Sequence, residues 1–154
     1  MLKSFHANFA GGICIDIVAG MKNTLFFNGK EIKFSNNVSG IALGRTAVFI
    51  LLFEEKPDGS VVMTNQPLNN IYAYDYEGNL KWNISEITGD VPNPFGTVSI
   101  HSKKSISEFM KNRFFDPNDA IDGHEFLYCS DIGGLHYVID VTDKKLIYRK
   151  GFRF

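Results

Sequence analysis

Hydrophobic and polar residues alternate with a period of two along much of this chain. Residues 13–17 are apolar at every second position, and the same alternation returns in residues 135–141. Such alternation indicates β-strands that turn one face towards a core. Residues 47–53 are apolar at every position, which predicts a central strand buried on both faces.

Turn sequences separate these strands at regular places. The Asn-Gly pair among them supplies the positive φ angles of a tight type I′ hairpin. The Pro-Asp-Gly turn is predicted to fold residues 49–55 onto residues 61–63. Consecutive hairpins predict antiparallel pairing in a meander. The four turns are Asn28-Gly29, Pro57-Asp58-Gly59, Glu77-Gly78-Asn79 and Thr142-Asp143-Lys144.

One segment has helical periodicity instead. Ser105 and Glu108 match a capping box, in which each side chain accepts a hydrogen bond from a free N–H of the first turn. One helix face then carries Ile106, Phe109, Met110, Arg113 and Phe114, and Pro117 is predicted to end the helix. We therefore predict one short helix near residues 105–115, with its Phe and Met face packed over one end of the sheet.

The composition predicts a single, mostly β domain spanning residues 1–154. The chain has 14 Phe and 6 Tyr among 154 residues, and aromatic side chains of this number favour a packed, β-rich interior. The net charge of −1 gives no support for nucleic-acid binding, which depends on a basic excess. We predict no nucleic-acid partner.

Two further features concern the compartment. Cys14 and Cys129 both lie in apolar stretches, which predicts two buried thiols. The longest apolar run, residues 47–53, is far shorter than the roughly 20 residues of a membrane-spanning helix. With no apolar leader at its start, the sequence predicts a cytoplasmic protein without a membrane partner.

Three hairpins in the chain look alike, and the middle one carries a resemblance. In residues 70–82 an apolar strand ends at Asp75, a turn contains Gly78, and Trp82 closes the next strand. This pattern resembles the outer-strand hairpin of a quinoprotein-type β-propeller blade. The resemblance implies the strand pattern and not the quinone cofactor.

The flanking hairpins depart from that pattern. Residues 26–34 lack the acid and the Trp, and residues 139–148 have Tyr148 in place of Trp and no Gly. Three units are fewer than the four to eight blades of a closed propeller. We therefore predict an antiparallel meander of hairpins that forms a curved sheet, an incomplete barrel or a short propeller-like array.

Candidate chemistry is sparse. An RNase-like pair could be formed by His101, with Lys103 and Lys104, facing His124, because phosphate chemistry needs a base, an acid and a cation. The HExxH and CxxC metal motifs and the glycine-rich nucleotide loops are absent from the sequence. Aligning the acidic 116–125 loop with an EF-hand places Ala120 and Cys129 at ligand positions, which excludes that site. We predict no catalytic residue, no metal and no cofactor.

Charge is segregated near the end of the chain. Five acids and no Lys or Arg lie in residues 116–131, and five Lys or Arg residues and no acid lie in residues 144–153. These blocks are either two solvated faces that partly neutralise each other, or an acidic loop that binds a basic protein surface. The predicted partner contacts are Asp116, Asp119, Asp122, Glu125 and Asp131, with Glu54 and Glu55 as an extension.

The chain also resembles small bacterial toxin-immunity proteins in size, β content and hairpin style. This resemblance implies a non-catalytic protein that binds and neutralises a protein partner. The predicted partner is a basic toxin domain. One alternative is a small RNA-cleaving or hydrolytic enzyme that uses His101 and His124. Another is an oligomeric structural module pairing through an edge strand at residues 145–154, where Leu146, Tyr148, Phe152 and Phe154 would share one face.

Overall fold

The fold is described for residues 5–8, 14–17, 21–56, 58, 60 and 64–151 in a computed structural model of the chain. Within these residues the strands are β1 Phe5–Asn8, β2 Cys14–Ile17, β3 Thr24–Phe27, β4 Lys30–Lys33, β5 Val38–Leu43, β6 Val48–Leu52, β7 Ile71–Tyr74, β8 Leu80–Asn83, β9 Phe95–His101, β10 Phe126–Asp131, β11 Leu135–Asp140 and β12 Lys145–Gly151. The helices are α1 Ser85–Thr88, α2 Lys103–Phe109 and a 3-10 turn at Pro117–Asp119.

The strands form three separate antiparallel sheets of four. Sheet 1 contains β1 to β4, sheet 2 contains β5 to β8 and sheet 3 contains β9 to β12, each in chain order. The predicted mostly β meander is confirmed. Of the three arrangements left open by the sequence, the short propeller-like array is observed, because a four-stranded antiparallel meander is the unit of a propeller blade.

The sheets stack face to face, with one core in each gap. The gap between sheets 1 and 2 is filled by Ile15, Ile17, Leu25, Phe27, Val38, Val48, Ile50 and Leu52. The gap between sheets 2 and 3 is filled by Phe49, Leu51, Ile71, Ala73, Trp82, Phe95, Leu127, Cys129, Tyr137 and Ile139. Strand β6 divides its side chains between the two cores, which confirms the prediction that residues 47–53 are buried on both faces.

Three of the four predicted turns are observed. Asn28 and Gly29 have φ angles of 49° and 83°, as a type I′ hairpin requires. The Glu77-Gly78-Asn79 turn joins β7 to β8, and Thr142-Asp143-Lys144 joins β11 to β12. The predicted pairing of residues 49–55 with 61–63 lies outside the described residues.

The short helix is confirmed, but its predicted cap is wrong. Helix α2 begins at Lys103, and the Ser102 hydroxyl accepts the capping hydrogen bond from Ser105 N at 3.1 Å. The Ser105 hydroxyl instead bonds Nδ1 of His101 at 2.6 Å, so it is not available as a cap. The helix ends at Phe109, well before Pro117, which opens the 3-10 turn.

Strand β12 lies at the edge of sheet 3. A register shift opposite Val138 and Ile139 changes which face of the sheet its side chains point to. Leu146 packs into the core between sheets 2 and 3, whereas Tyr148 packs on the outer face of sheet 3. The prediction that these two residues share one face is therefore wrong. Phe152 and Phe154 lie outside the described residues.

A buried asparagine joins sheets 2 and 3. Asn70 is fully buried, and its Nδ2 donates to the carbonyls of Leu52 at 2.7 Å and Phe95 at 2.8 Å. Its Oδ1 accepts from Phe95 N at 2.8 Å. One side chain thus satisfies backbone groups at the end of β6 and at the start of β9.

The two cysteines are free thiols, with Cys129 buried and Cys14 partly exposed, so only Cys129 fits the predicted buried environment.

In the described part of the chain, every helix is too short or too polar to cross a lipid bilayer.

Candidate functional site: the insertion between β9 and β10

Residues 102–125 connect β9 to β10 and are called the insertion below. They cover the face of sheet 3 that points away from sheet 2. Alternation along β10 sends Leu127 and Cys129 into the inter-sheet core and sends Phe126 and Tyr128 to this outer face. The insertion buries that face with Ile106, Met110, Phe115 and Ala120, packed on Phe126, Tyr128, Val138 and Tyr148.

The end of the insertion is fixed to the β5–β6 turn of sheet 2. Arg45 donates from its backbone N to Glu125 Oε1 at 2.9 Å and from Nη2 to the carbonyl of Gly123 at 2.6 Å. Arg45 Nε also lies 3.6 Å from Glu125 Oε1. Glu125 therefore holds the insertion against sheet 2.

The rings of His101, Phe109 and Tyr128 form a row on this outer face. The Phe109 ring lies 4.9 Å from the His101 ring and 4.6 Å from the Tyr128 ring. The guanidinium of Arg113 lies 5.3 Å from the Phe109 ring centre and 5.9 Å from that of Tyr128. The Tyr128 hydroxyl is hydrogen-bonded to His136 Nδ1 at 2.6 Å. Phe109 is thus held in place although it is 43% exposed.

Burial lowers the pKa of His101 in this row and of His136, which is bonded to Tyr128. The Arg113 guanidinium also lowers the pKa of His136, which Asp131 partly offsets. The unfolded chain therefore binds more protons than the folded chain once the pH falls to about 6.5, the ordinary histidine pKa. We expect stability to fall as the pH drops from there through the lower pKa values of the folded protein.

The measurement is the melting temperature at about pH 7.5 and about pH 5.5, a range in which histidines titrate and ordinary carboxyl groups do not. The double variant His101→Gln, His136→Gln should lose less stability over this range than the wild-type chain. An equal loss in both proteins would show that other groups cause the effect.

Phe114 has the most exposed large apolar side chain among the described residues, at 81%. Its φ angle is 56°, in the left-handed region that bulky residues rarely adopt. Two side chains of β12 hold this backbone: the Tyr148 hydroxyl donates to the carbonyl of Arg113, and Lys150 Nζ donates to that of Phe114 at 3.4 Å. The ring is therefore displayed to solvent by an unfavourable backbone conformation that the sheet maintains.

Three of the predicted contact residues lie exposed on the insertion. They are Asp116, Asp119 and Asp122, and the partly exposed Ile121 lies among them. Asp116 also caps the 3-10 turn by accepting from Asn118 N at 2.9 Å. The insertion thus presents carboxylates beside exposed Phe109, Phe114 and Ile121.

The other four predicted contact residues accept hydrogen bonds within the fold. Glu125 binds Arg45 as described. Glu54 accepts from Asn37 N at 3.3 Å, and Glu55 accepts from the Ser39 hydroxyl at 3.5 Å. Asp131 is buried.

Asp131 belongs to a turn motif that the sequence could have revealed. Its Oδ1 accepts from Gly133 N and Leu135 N, two and four residues ahead, and Asp75 accepts from residues two and four ahead of it in the same way. In both turns the glycine three residues on has a positive φ, 84° at Gly78 and 95° at Gly134. The spacing Asp-x-x-Gly after a strand is therefore the signal of a turn cap.

The histidines of the enzyme hypothesis do not share one cleft. A cleft of about 380 Å³ is lined by Arg45, Ser102, Lys103, Lys104, Asp122, Gly123, His124 and Glu125. His101 is not part of this lining, and its two ring nitrogens bond the hydroxyls of Ser99 and Ser105. The predicted acid–base pair is thus not assembled there.

Two groups of side chains in the described residues have metal-ligand chemistry. His124, Asp140 and Asp143 form one, but Asp140 already caps its turn by accepting from Thr142 N and Asp143 N. The other, on sheet 1, consists of His6, Cys14 and Asp16. The sequence prediction missed it because β1 brings His6 to Asp16 only through strand pairing.

Comparison with solved structures supports the propeller-like assignment. The chain is similar to BBS1N in complex with ARL6DN, from a lead-soaked crystal, with 13% identity and a TM-score of 0.56 over 97% of this chain. A mercury-soaked crystal of the same complex matches with 11% identity and a TM-score of 0.56 over 96% of this chain. The chain spans 39% of each of those chains, and at these identities the likeness shows the fold alone. No protein-family model and no curated protein matches the sequence.

Proposed function

We propose that this chain is a non-catalytic module that binds a protein partner through the insertion. The observation that carries the proposal is Phe114, an exposed ring on a backbone in the left-handed region. Holding a bulky residue in that region costs about 1–3 kcal/mol, and such strain is found most often where it serves a function. An exposed aromatic side chain is what an interface uses as an anchor.

The surroundings of Phe114 fit an interface. Phe109 and Ile121 add exposed apolar surface on the same segment, and the guanidinium of Arg113 lies over the rings of Phe109 and Tyr128. Aromatic residues and arginine are enriched at the centres of protein interfaces. Ring packing holds the side chain of Phe109 and hydrogen bonds hold the backbone at Phe114, so less conformational freedom is lost at these two residues when a partner binds.

The three exposed carboxylates define the character of the partner. Asp116, Asp119 and Asp122 complement a basic protein surface, which they would attract at long range and orient on arrival. The other four predicted contacts, Glu125, Asp131, Glu54 and Glu55, are left out of this proposed surface, because each of their carboxylates accepts a hydrogen bond within the fold. The similar BBS1N was crystallised in complex with ARL6DN, which supports the proposal of a protein partner.

The more specific role, neutralising a bacterial toxin in the cytoplasm, stays a prediction supported by size, β content and the acidic insertion. A toxin encoded beside this chain, whose lethality is relieved when the two are expressed together, would support that role. Lethality unchanged by the chain would contradict it.

The binding proposal predicts opposite effects of one substitution. Phe114→Asn should raise the free energy of unfolding by about 0.5–1 kcal/mol, because Asn tolerates the left-handed conformation. The same change should weaken binding of the partner at least about tenfold, because an interface anchor is lost. The measurements are denaturant unfolding and the dissociation constant for the partner co-purified with the wild-type chain.

The matched control is Leu80→Asn, which removes another exposed apolar residue but lies on β8 of sheet 2. It should leave affinity unchanged. A second arm, the triple variant Asp116→Lys, Asp119→Lys, Asp122→Lys, should slow association more than it speeds dissociation. Wild-type affinity in both Phe114→Asn and the triple variant would exclude the insertion as the binding surface.

A further inference from the structure

The outer face of sheet 1 carries polar side chains beside Phe26, unlike the apolar outer face of sheet 3, which the insertion covers. Strand alternation turns Ile15 and Ile17 into the core, so their neighbours Cys14 and Asp16 point the other way. The antiparallel register places His6 of β1 directly opposite Asp16 of β2. Three different metal-ligand side chains therefore meet on one face of one pair of strands.

The two distances from the Cys14 sulfur are those of a coordination site, whereas His6 and Asp16 are in direct contact and would separate to admit an ion. Cys14 Sγ lies 3.7 Å from His6 Nδ1 and 3.5 Å from Asp16 Oδ2, and His6 Nδ1 contacts the other oxygen of Asp16. In a tetrahedral zinc site, bonds of about 2.3 Å to sulfur and about 2.0–2.1 Å to nitrogen or oxygen place the sulfur about 3.5 Å from each other ligand. Both sulfur distances match this value.

We propose that His6, Cys14 and Asp16 bind one zinc-class divalent metal ion on the outer face of sheet 1. The carboxylate of Asp16 supplies one oxygen as the ion enters between it and His6. The fourth position is left to water, because His6 and Asp16 are both open to solvent on this face. The ion would tie β1 to β2 at the end of the stack of sheets.

The ligand chemistry selects the metal. Thiolate and imidazole favour zinc-like transition metals, whereas calcium and magnesium prefer oxygen ligands. Cysteine binds a metal ion as the thiolate, so metal binding by Cys14 releases a proton. This site is independent of the insertion, so it does not depend on the proposed partner.

The test is a titration of the full chain with cobalt(II) alone, in the presence of a phosphine reductant that does not bind metals. We expect one equivalent to bind and to give a near-ultraviolet thiolate-to-cobalt charge-transfer band that zinc then abolishes. Cys14→Ser should lose the band. Asp16→Asn, which keeps the shape of the side chain, should weaken cobalt affinity at least about tenfold, since even residues that only support a metal ligand are worth that much.

Matched controls lie on the same chain. Glu31→Gln removes a carboxylate from the same face of sheet 1, and Cys129→Ala removes the other thiol; both should bind cobalt as the wild type does. Calcium and magnesium should not displace the metal. A wild-type chain that gives no thiolate band, a band that survives Cys14→Ser, or unchanged affinity in Asp16→Asn would each overturn the proposal.

Discussion

Replacing Asn70 with alanine is expected to lower the free energy of unfolding by about 3–5 kcal/mol, since each buried group left without a partner costs about 1–3 kcal/mol. The amide of Asn70 satisfies one N–H and two carbonyls between sheets 2 and 3. Alanine can replace none of these bonds, and the site is closed to water. A loss of this size is a large part of the stability of an ordinary domain.

Denaturant unfolding measures this loss. Asn112→Ala is the matched control, because Asn112 is exposed, and a change there should stay within about 0.5 kcal/mol. Asn70→Asp is a sharper second variant: it keeps the shape but loses both amide donors, so it should be no more stable than Asn70→Ala. An Asn70→Ala protein within about 1 kcal/mol of wild type would show that its hydrogen bonds contribute only the modest net value of ordinary ones.

The second large effect is expected at the insertion. Ile106 is fully buried between α2 and the outer face of sheet 3, beside Met110, Phe126 and Val138. Ile106→Ala should cost about 2–5 kcal/mol through lost burial and the cavity left behind. Because the insertion packs on one face of sheet 3 and is otherwise held by contacts to the β5–β6 and β11–β12 turns, we expect it to loosen before the sheets unfold.

Hydrogen exchange of the insertion amides, together with denaturant unfolding, measures this effect. Ile121→Ala removes the same atoms from a half-exposed position in the same segment and should change stability far less. Equal effects of the two substitutions would contradict a packed insertion. A loosened insertion should also weaken partner binding, since the anchors would no longer be held in place.

The two proposals place different chemistry at opposite ends of the stack. Sheet 3 is covered by a segment that exposes aromatic rings and carboxylates, and sheet 1 carries three metal-ligand side chains on its outer face. Each site lies on the outer face of a sheet at one end of the stack. Sheet 2 packs on a neighbouring sheet with both of its faces, so it has no outer face of this kind.

Local patterns predicted most strands and turns correctly. The Asn28-Gly29 turn depends on the φ angles of its own two residues, and the apolar run of β6 requires burial on both faces wherever the strand lies. The helix was less predictable. Ser102 and Ser105 are equivalent as local caps, and the choice was decided by His101, which bonds the Ser105 hydroxyl.

Exposure along the helical pattern could not be read from the sequence. Ile106 and Met110 are buried as predicted, but Phe109 is partly exposed and Phe114 lies beyond the end of the helix. The acids show the same limit: Asp116 is exposed, whereas Asp131 is buried as a turn cap. Equal residue types thus have different roles because their hydrogen-bond partners come from other parts of the chain.

The sequence by itself determined the mostly β meander, its hairpins and the short helix, because strand alternation and turn chemistry act over a few neighbouring residues. Only the tertiary structure decided that the hairpins form three stacked sheets, that the insertion covers sheet 3, and that His6 meets Cys14 and Asp16. These contacts join residues that are distant in the chain or on different strands. They depend on which strands pair across the chain and on which sheets lie side by side, and a pattern of a few neighbouring residues does not specify either.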